Sequence, residues 1–232
     1  MTEPDVALTD YAVALECAYF AYSLWRMRKG REPVSFWFIT AFLATGVAGL
    51  AGGTVHGFFN QPGSVGHGIL WPLGLVMIGV AALAFANIAA TLRFTGGAVL
   101  AISRAAFFLF LVYCVAILFF NDRFVVAIVA YLPAVLFLGW VFFDQYRQTR
   151  RAAFAWGLAG IGITLLAAVV QQARIALHPR YFNHNAVYHT LQAAGLFMIF
   201  LTARDCSKQK QTNACAERPK TASPTPAPRS PR

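Results

Sequence analysis

The stretch HPRYFNHNAVYHTLQAAG, residues 178–195, places His178, His184 and His189, three of the five histidines of the chain, at the start of an apolar segment. A fourth, His56, ends an earlier apolar segment in GVAGLAGGTVHGFF, and the fifth, His67, opens the one after it. Imidazole titrates near neutral pH and is the commonest metal-ligating side chain, so these positions could carry acid–base or metal chemistry. On a helix advancing 100° per residue from His184, Tyr188 falls at about 40°, Gln192 at about 80°, Asn185 at about 100° and His189 at about 140°. This polar sector must face the interior of a bundle or a wet cavity, because lipid satisfies none of its groups. Glu16 adds an acid within the first apolar segment, about 9 Å deeper than Asp10 at 1.5 Å per residue. A carboxylate at that depth is costly unless protonated or paired, and Arg174 is one possible partner.

His56, His184 and His189 form a donor set suited to zinc, with the fourth position left for water. Zinc would lower the pKa of that water and polarise a carbonyl, the equipment of a hydrolase. Glu16, Asn185, Tyr188 and Gln192 are the candidate catalytic partners, orienting ligands or donating to a developing oxyanion. Because His184 and His189 are five residues apart, sharing one ion requires His184 to swing in from the first helical turn. Two other classes stay open: haem ligation by His56 and His189 in a redox protein, and a noncatalytic module that binds or senses lipid. His67 and His178, flanked by loop residues, read as interfacial side chains with one wet end.

The elements that must position these groups are membrane spans. Hydrophobic residues make up 58% of the 232, charged residues 12%, and mean hydropathy is +0.57, too little charge to cover a soluble fold of this size. At about 20 apolar residues per crossing, spans are expected near 9–25, 34–58, 68–92, 98–120, 124–143, 153–173 and 184–203. This is an all-α, seven-transmembrane bundle. Polar, proline-bearing or glycine-bearing separators such as RMRKGREP and NQPGSVG divide the segments. Arg104 lies within the fourth, where it can snorkel to the nearer surface.

Loop charges set the expected orientation. Arg26, Arg28, Lys29, Arg31, Arg93, Arg147, Arg150, Arg151, Arg204, Lys208 and Lys210 fall on one side, and only Arg123, Arg174 and Arg180 on the other. Basic residues resist translocation, so the N-terminus is expected outside and the C-terminus in the cytoplasm, with all five histidines toward the outer face. Most of the net charge of +10 is thereby topological, and nucleic acid is not an expected partner. A transmembrane domain over 1–204 is expected to precede a disordered, basic, proline-rich cytoplasmic tail over 205–232, ending TASPTPAPRSPR. The acidic N-terminus MTEPDVALTD lacks the basic region of a cleaved signal, and Cys17, Cys114, Cys206 and Cys215 show no metal-site or disulfide spacing.

A seven-span chain with a histidine ending helix two (GGTVHGF) and two opening helix seven (FNHNAVYH) resembles the superfamily of alkaline ceramidases and progestin and adiponectin receptors. The resemblance implies zinc held by three histidines and hydrolysis of a lipid amide; His56 and His189 are the matching positions, with His184 as the third. Where family members carry serine before the helix-two histidine and a first histidine in helix seven, this chain has Gly52 and Asn185. The expectation is thus a zinc-dependent intramembrane hydrolase of a lipid-like amide or ester, with membrane lipid as its surroundings and substrate.

Overall fold

A computed structural model describes residues 1–28, 33–178 and 181–216, of which 209–216 as backbone alone. Lys29, Arg31 and Arg180 of the charge count, and the proline-rich end beyond Ala216, lie outside the described residues. Among the described residues the fold is all-α, with seven helices: α1 Pro4–Met27, α2 Pro33–Phe58, α3 Val65–Arg93, α4 Gly97–Phe119, α5 Phe124–Thr149, α6 Ala152–Gln172 and α7 His184–Ala216. Six of them, α2 to α7, are long and apolar enough to cross a membrane; α1 carries Asp5, Asp10, Glu16 and Arg26 along its length. At 1.5 Å per residue even the 21 residues of α6 reach about 30 Å, the thickness of a hydrocarbon core. The outer faces expose large apolar side chains, among them Leu15, Leu43, Phe108, Leu109, Trp156 and Val169. A contiguous apolar exterior of this kind fits lipid and not water, and the chain is a multi-pass membrane protein.

The helices pack as a ring. Contacts run α1 to α2, α2 to α3, α3 to α5, α5 to α6, α6 to α7 and α7 back to α1, while α4 stands outside and leans chiefly on α3. A core of Phe20, Phe38, Phe42, Phe85, Phe142, Ile199 and Phe200, all buried, fills one half of the ring; the Phe20 and Phe200 rings stack at 4.2 Å. Near this half lie polar ties. Arg93 Nε meets Asp144 at 2.8 Å, Arg151 pairs with Asp205, and the hydroxyls of Ser35 and Ser207 share a hydrogen bond of 3.0 Å.

The boundary expected at 204/205 falls inside α7, which runs on to Ala216 with Cys206 and Ser207 buried. Its residues 205–216 contain neither glycine nor proline, the first proline coming at 219, so nothing local stops the helix at the membrane edge. The link of Asp205 to Arg151 and of Ser207 to Ser35 ties its next turn to α6 and α2.

Small residues let ring neighbours touch. On α6 and α7, a Cβ at Gly160 would lie 2.6 Å from the carbonyl oxygen of Gly195, and one at Gly195 would lie 2.9 Å from that of Gly160. Backbone cannot yield there as a flexible side chain would. Gly160→Ala is therefore expected to lose about 1–3 kcal/mol by overpacking. Gly162→Ala, with nothing within 4 Å of its Cβ, is expected to gain about 0.5–1 kcal/mol in helix stability. Thermal unfolding of both variants in detergent should move in opposite directions.

Candidate functional site

The ring encloses a cavity of about 200 Å³ whose walls come from α1, α2, α3, α5, α6 and α7. Its polar residues gather at one end: Asp10 near the start of α1, His56 at the end of α2, Gln171 at the end of α6, and Asn185, Tyr188, His189 and Gln192 on the first turns of α7. Leu75, Ile78 and Ala81 from α3, and Ile128, Leu132 and Val135 from α5, line most of the remainder, with Thr45 of α2, Tyr131 of α5 and Thr164 of α6 as polar side chains deeper in. The polar sector drawn on α7 thus faces inward for Asn185, Tyr188, His189 and Gln192.

The α1 helix approaches α2 closely because α2 offers glycine at its contact face. A Cβ at Gly49 would lie 3.0 Å from the carbonyl oxygen of Asp10, one at Gly52 3.1 Å from Asp10 Oδ2, and one at Gly53 2.9 Å from Asp10 Cβ. Backbone N–H groups of Thr2 and Glu3 donate to the carbonyls of Gly57 and His56, which fixes the register of α1 on the last turn of α2. The same register sets Glu3 Oε2 2.6 Å from His56 Nδ1, an ion pair if the imidazole is protonated. With Nδ1 so held, Nε2 of His56 remains for a ligand, the arrangement in which a carboxylate orients a metal-binding or proton-transferring imidazole.

His189 is gripped from α1. Its Nε2 lies 3.2 Å from Asp10 Oδ1 and its Nδ1 lies 3.3 Å from Thr9 Oγ1. The Thr9 hydroxyl donates to the carbonyls of Asp5 and Val6, both at 2.9 Å, so toward the imidazole it can only accept. Nδ1–H therefore donates to Thr9, and a single proton is shared between Nε2 and the Asp10 carboxyl. Both side chains are nearly buried, at 11% and 8% exposure, so the pair shields each partner's cost of leaving water. The first turn of α7 is anchored as well. Asn183 Oδ1 accepts from the N–H groups of Asn185 and Ala186 as a cap, and the Asn183 N–H donates to Asp5 Oδ2 at 3.1 Å.

Of the predicted zinc ligands, the structure brings His56 and His189 into one cavity; His184, half-buried at the first residue of α7, is not among the lining residues. Glu16 does not line the cavity either. Its Oε2 is buried without a hydrogen-bond partner among the described residues, so no Arg174 pairing is formed. Among the described residues, no group of three or more His, Cys, Asp or Glu side chains is placed to hold a metal ion. Sequence reasoning missed Asp10, which served only to mark where α1 begins. The signal was its spacing: Asp10 is seven residues from Glu3 and from Cys17, on the apolar stripe that α1 turns toward the glycines of α2.

A double-mutant cycle distinguishes the two carboxylate–histidine pairs. Coupling between Asp10→Ala and His189→Ala is expected at about 2 kcal/mol in unfolding free energy, as for a buried charge-assisted hydrogen bond. Coupling between Glu3→Ala and His56→Ala, whose side chains are 33% and 19% exposed, should fall below about 1 kcal/mol. Equal couplings would mean that burial does not separate the pairs.

No curated protein and no solved structure matches the chain. A family model does: that of the family of unknown function DUF6962 matches residues 6–208, from the first turn of α1 to the described end of the α7 side chains. The ring and its cavity are therefore the part of the protein that this match covers, and the chain belongs to the DUF6962 family.

Proposed function

We propose that the protein takes up a lipid-like molecule in the ring cavity, with seven crossings, the N-terminus outside, the C-terminus in the cytoplasm and the polar end of the cavity toward the extracytoplasmic face. The observation that carries this is the concentration of polar groups at one end of a cavity whose remainder is mainly apolar, the profile of an amphiphile. Its volume of about 200 Å³ has room for a head group and a short length of chain, so a longer chain would extend between helices into the bilayer. The excess of arginine and lysine at the opposite end supports the orientation. Although α1 carries the acids Asp10 and Glu16 within its apolar stretch, it packs along both α2 and α7 and completes the ring, which supports a seventh crossing.

Lipid extraction and mass spectrometry of the protein purified in mild detergent test this directly. A defined amphiphile should copurify near one per chain, and Ile128→Trp, which puts bulk into the apolar part, should reduce it severalfold. A wild-type protein that is folded and carries no enriched amphiphile would overturn the proposal.

A second reading, zinc-assisted hydrolysis of a lipid-like amide or ester, is favoured by one distance. Two ligand atoms about 2.0 Å from a tetrahedral zinc stand about 3.3 Å apart, close to the 3.2 Å between Asp10 Oδ1 and His189 Nε2. In this reading Asp10 takes the place expected of His184 beside His189, and His56 would have to move toward the pair to complete the set, since the described residues form no three-ligand group as they stand. Zinc bound there would supply Lewis acidity and lower the pKa of a water. The chain's own residues orient the substrate: Asn185, Tyr188 and Gln192 offer hydrogen bonds at the polar end, and Glu3 holds the His56 ring. Glu16, away from the cavity, has no part in it. Elemental mass spectrometry should find near-stoichiometric zinc, lost in both His56→Ala and His189→Ala; folded protein without zinc after incubation with the metal would sink this reading. The haem alternative has no distance of this kind to favour it.

A further inference from the structure

The polar end of the cavity is also walled by aromatic rings in unbroken succession. His56 and Trp71 stand 6.4 Å apart at 87°, Trp71 and Phe124 6.4 Å apart at 45°, Phe124 and Tyr188 6.2 Å apart at 80°, and Tyr188 and His189 5.0 Å apart at 61°. All five line the cavity, and they come from α2, α3, α5 and α7. The rings are tilted or edge-on to one another and do not stack into a closed core, so they form an arc around space. Asp10 closes the arc from α1 through its contact with His189.

Trp71 is fixed in this arc by its indole N–H, which donates to the carbonyl of Asp122 at 2.8 Å, and by His67, stacked on it at 5.9 Å. The indole donor is therefore spent on the loop before α5 and one face of the ring is covered by His67, so what remains for the cavity is the opposite face and the ring edge. Aromatic faces carry negative potential and attract a cation within about 6 Å of the ring centre, most strongly for tryptophan. The charges nearby point the same way. In a chain of net charge +10, the start of α1 brings Glu3 and Asp5 to this end, while Arg123 and Arg174 on the neighbouring connections are exposed. A weakly hydrated cation with methyl groups suits such an arc better than an ammonium, whose N–H groups would need acceptors that rings supply poorly.

Resting on the proposal that the cavity takes up a lipid-like molecule, we infer that the aromatic arc of Trp71, Phe124 and Tyr188 selects an amphiphile with a quaternary ammonium head, of the choline type. The head sits among the rings and the chain runs down the apolar wall formed by α3 and α5. The arc is a site of recognition, and the inference holds whether or not the protein also cleaves the molecule.

The test compares octylphosphocholine with its carbon isostere, octyl 3,3-dimethylbutyl phosphate, in which carbon replaces the quaternary nitrogen. Binding is measured calorimetrically on the full chain in nanodiscs of phosphatidylglycerol and phosphatidylethanolamine, which contain no choline. The choline compound should bind at least tenfold more tightly than the isostere, and Trp71→Leu should bring the two within about threefold. Phe124→Leu removes a ring from the other side of the arc and should narrow the ratio too, so a misfolded Trp71 variant does not leave the question open. Equal binding of the two compounds to the wild-type protein overturns the quaternary-ammonium inference and leaves lipid uptake standing. Binding of neither overturns both.

Discussion

The close approach of α1 to α2 is the constraint on which the remaining structure rests. A helix bearing Asp5, Asp10 and Glu16 is a poor candidate for insertion by itself, since each acid is expensive in hydrocarbon. It is accommodated because Gly49, Gly52 and Gly53 let its backbone lie against α2, with the first turn of α1 joined to the last turn of α2 by main-chain hydrogen bonds. That register brings Asp10 beneath the end of α2 and toward α7. There it meets His189, and the contact joins the first helix of the chain to the last. The aromatic pair of Phe20 and Phe200, ten residues beyond Asp10 and eleven beyond His189, repeats the same alignment deeper in the ring. Larger residues at the glycine positions would push α1 outward and separate the acid from its imidazole.

A closed ring gives the interior a polarity of its own. Lipid meets the outer faces, so polar groups have only the interior or the two ends in which to find partners. At one end, arginine–aspartate pairs and a serine pair fasten α2, α3, α5, α6 and α7 to one another. At the other, carboxylates, histidines, amides and aromatic rings surround space. The two ends thus have different characters: the first is satisfied internally and is structural, while the second leaves ring surfaces, amides and one imidazole nitrogen turned toward a cavity. Helix α4 stands outside the ring, tied to α3 through Ser103, whose hydroxyl donates to Asn87 Oδ1. Its only large buried side chains, Tyr113 and Ile117, seat it against α3, Tyr113 by filling the notch at Gly79 and donating to the carbonyl of Leu75 at 2.8 Å.

The cavity also explains the glycines before His56 in a way helix packing alone would not. Gly52 is the position at which a side chain would collide with Asp10 Oδ2, so its lack of a Cβ makes room for the buried carboxylate itself. Acid and glycine are thus two halves of one local arrangement, in which α2 gives up side-chain volume and α1 supplies the charge that holds His189.

Composition and periodicity by themselves determined much of this protein. The long apolar segments, their separators and the polar sector of Asn185, Tyr188, His189 and Gln192 follow from the need to bury backbone and side chains in lipid, which acts on every span independently of its neighbours. The extent of α7 was less legible, because the absence of helix breakers after Arg204 matters only once Asp205 and Ser207 find partners on other helices. Which acid belongs to the site was not legible at all. Asp10 and Glu16 are alike as residue types in one helix, and only the rotation of α1 against α2 and α7 decides that the first faces the cavity while the second does not. The ring order, the exclusion of α4 and the meeting of Trp71 with Phe124 are of the same kind. They depend on distances between residues far apart in the chain, and those distances are set by helix packing and not by the local pattern that forms each helix.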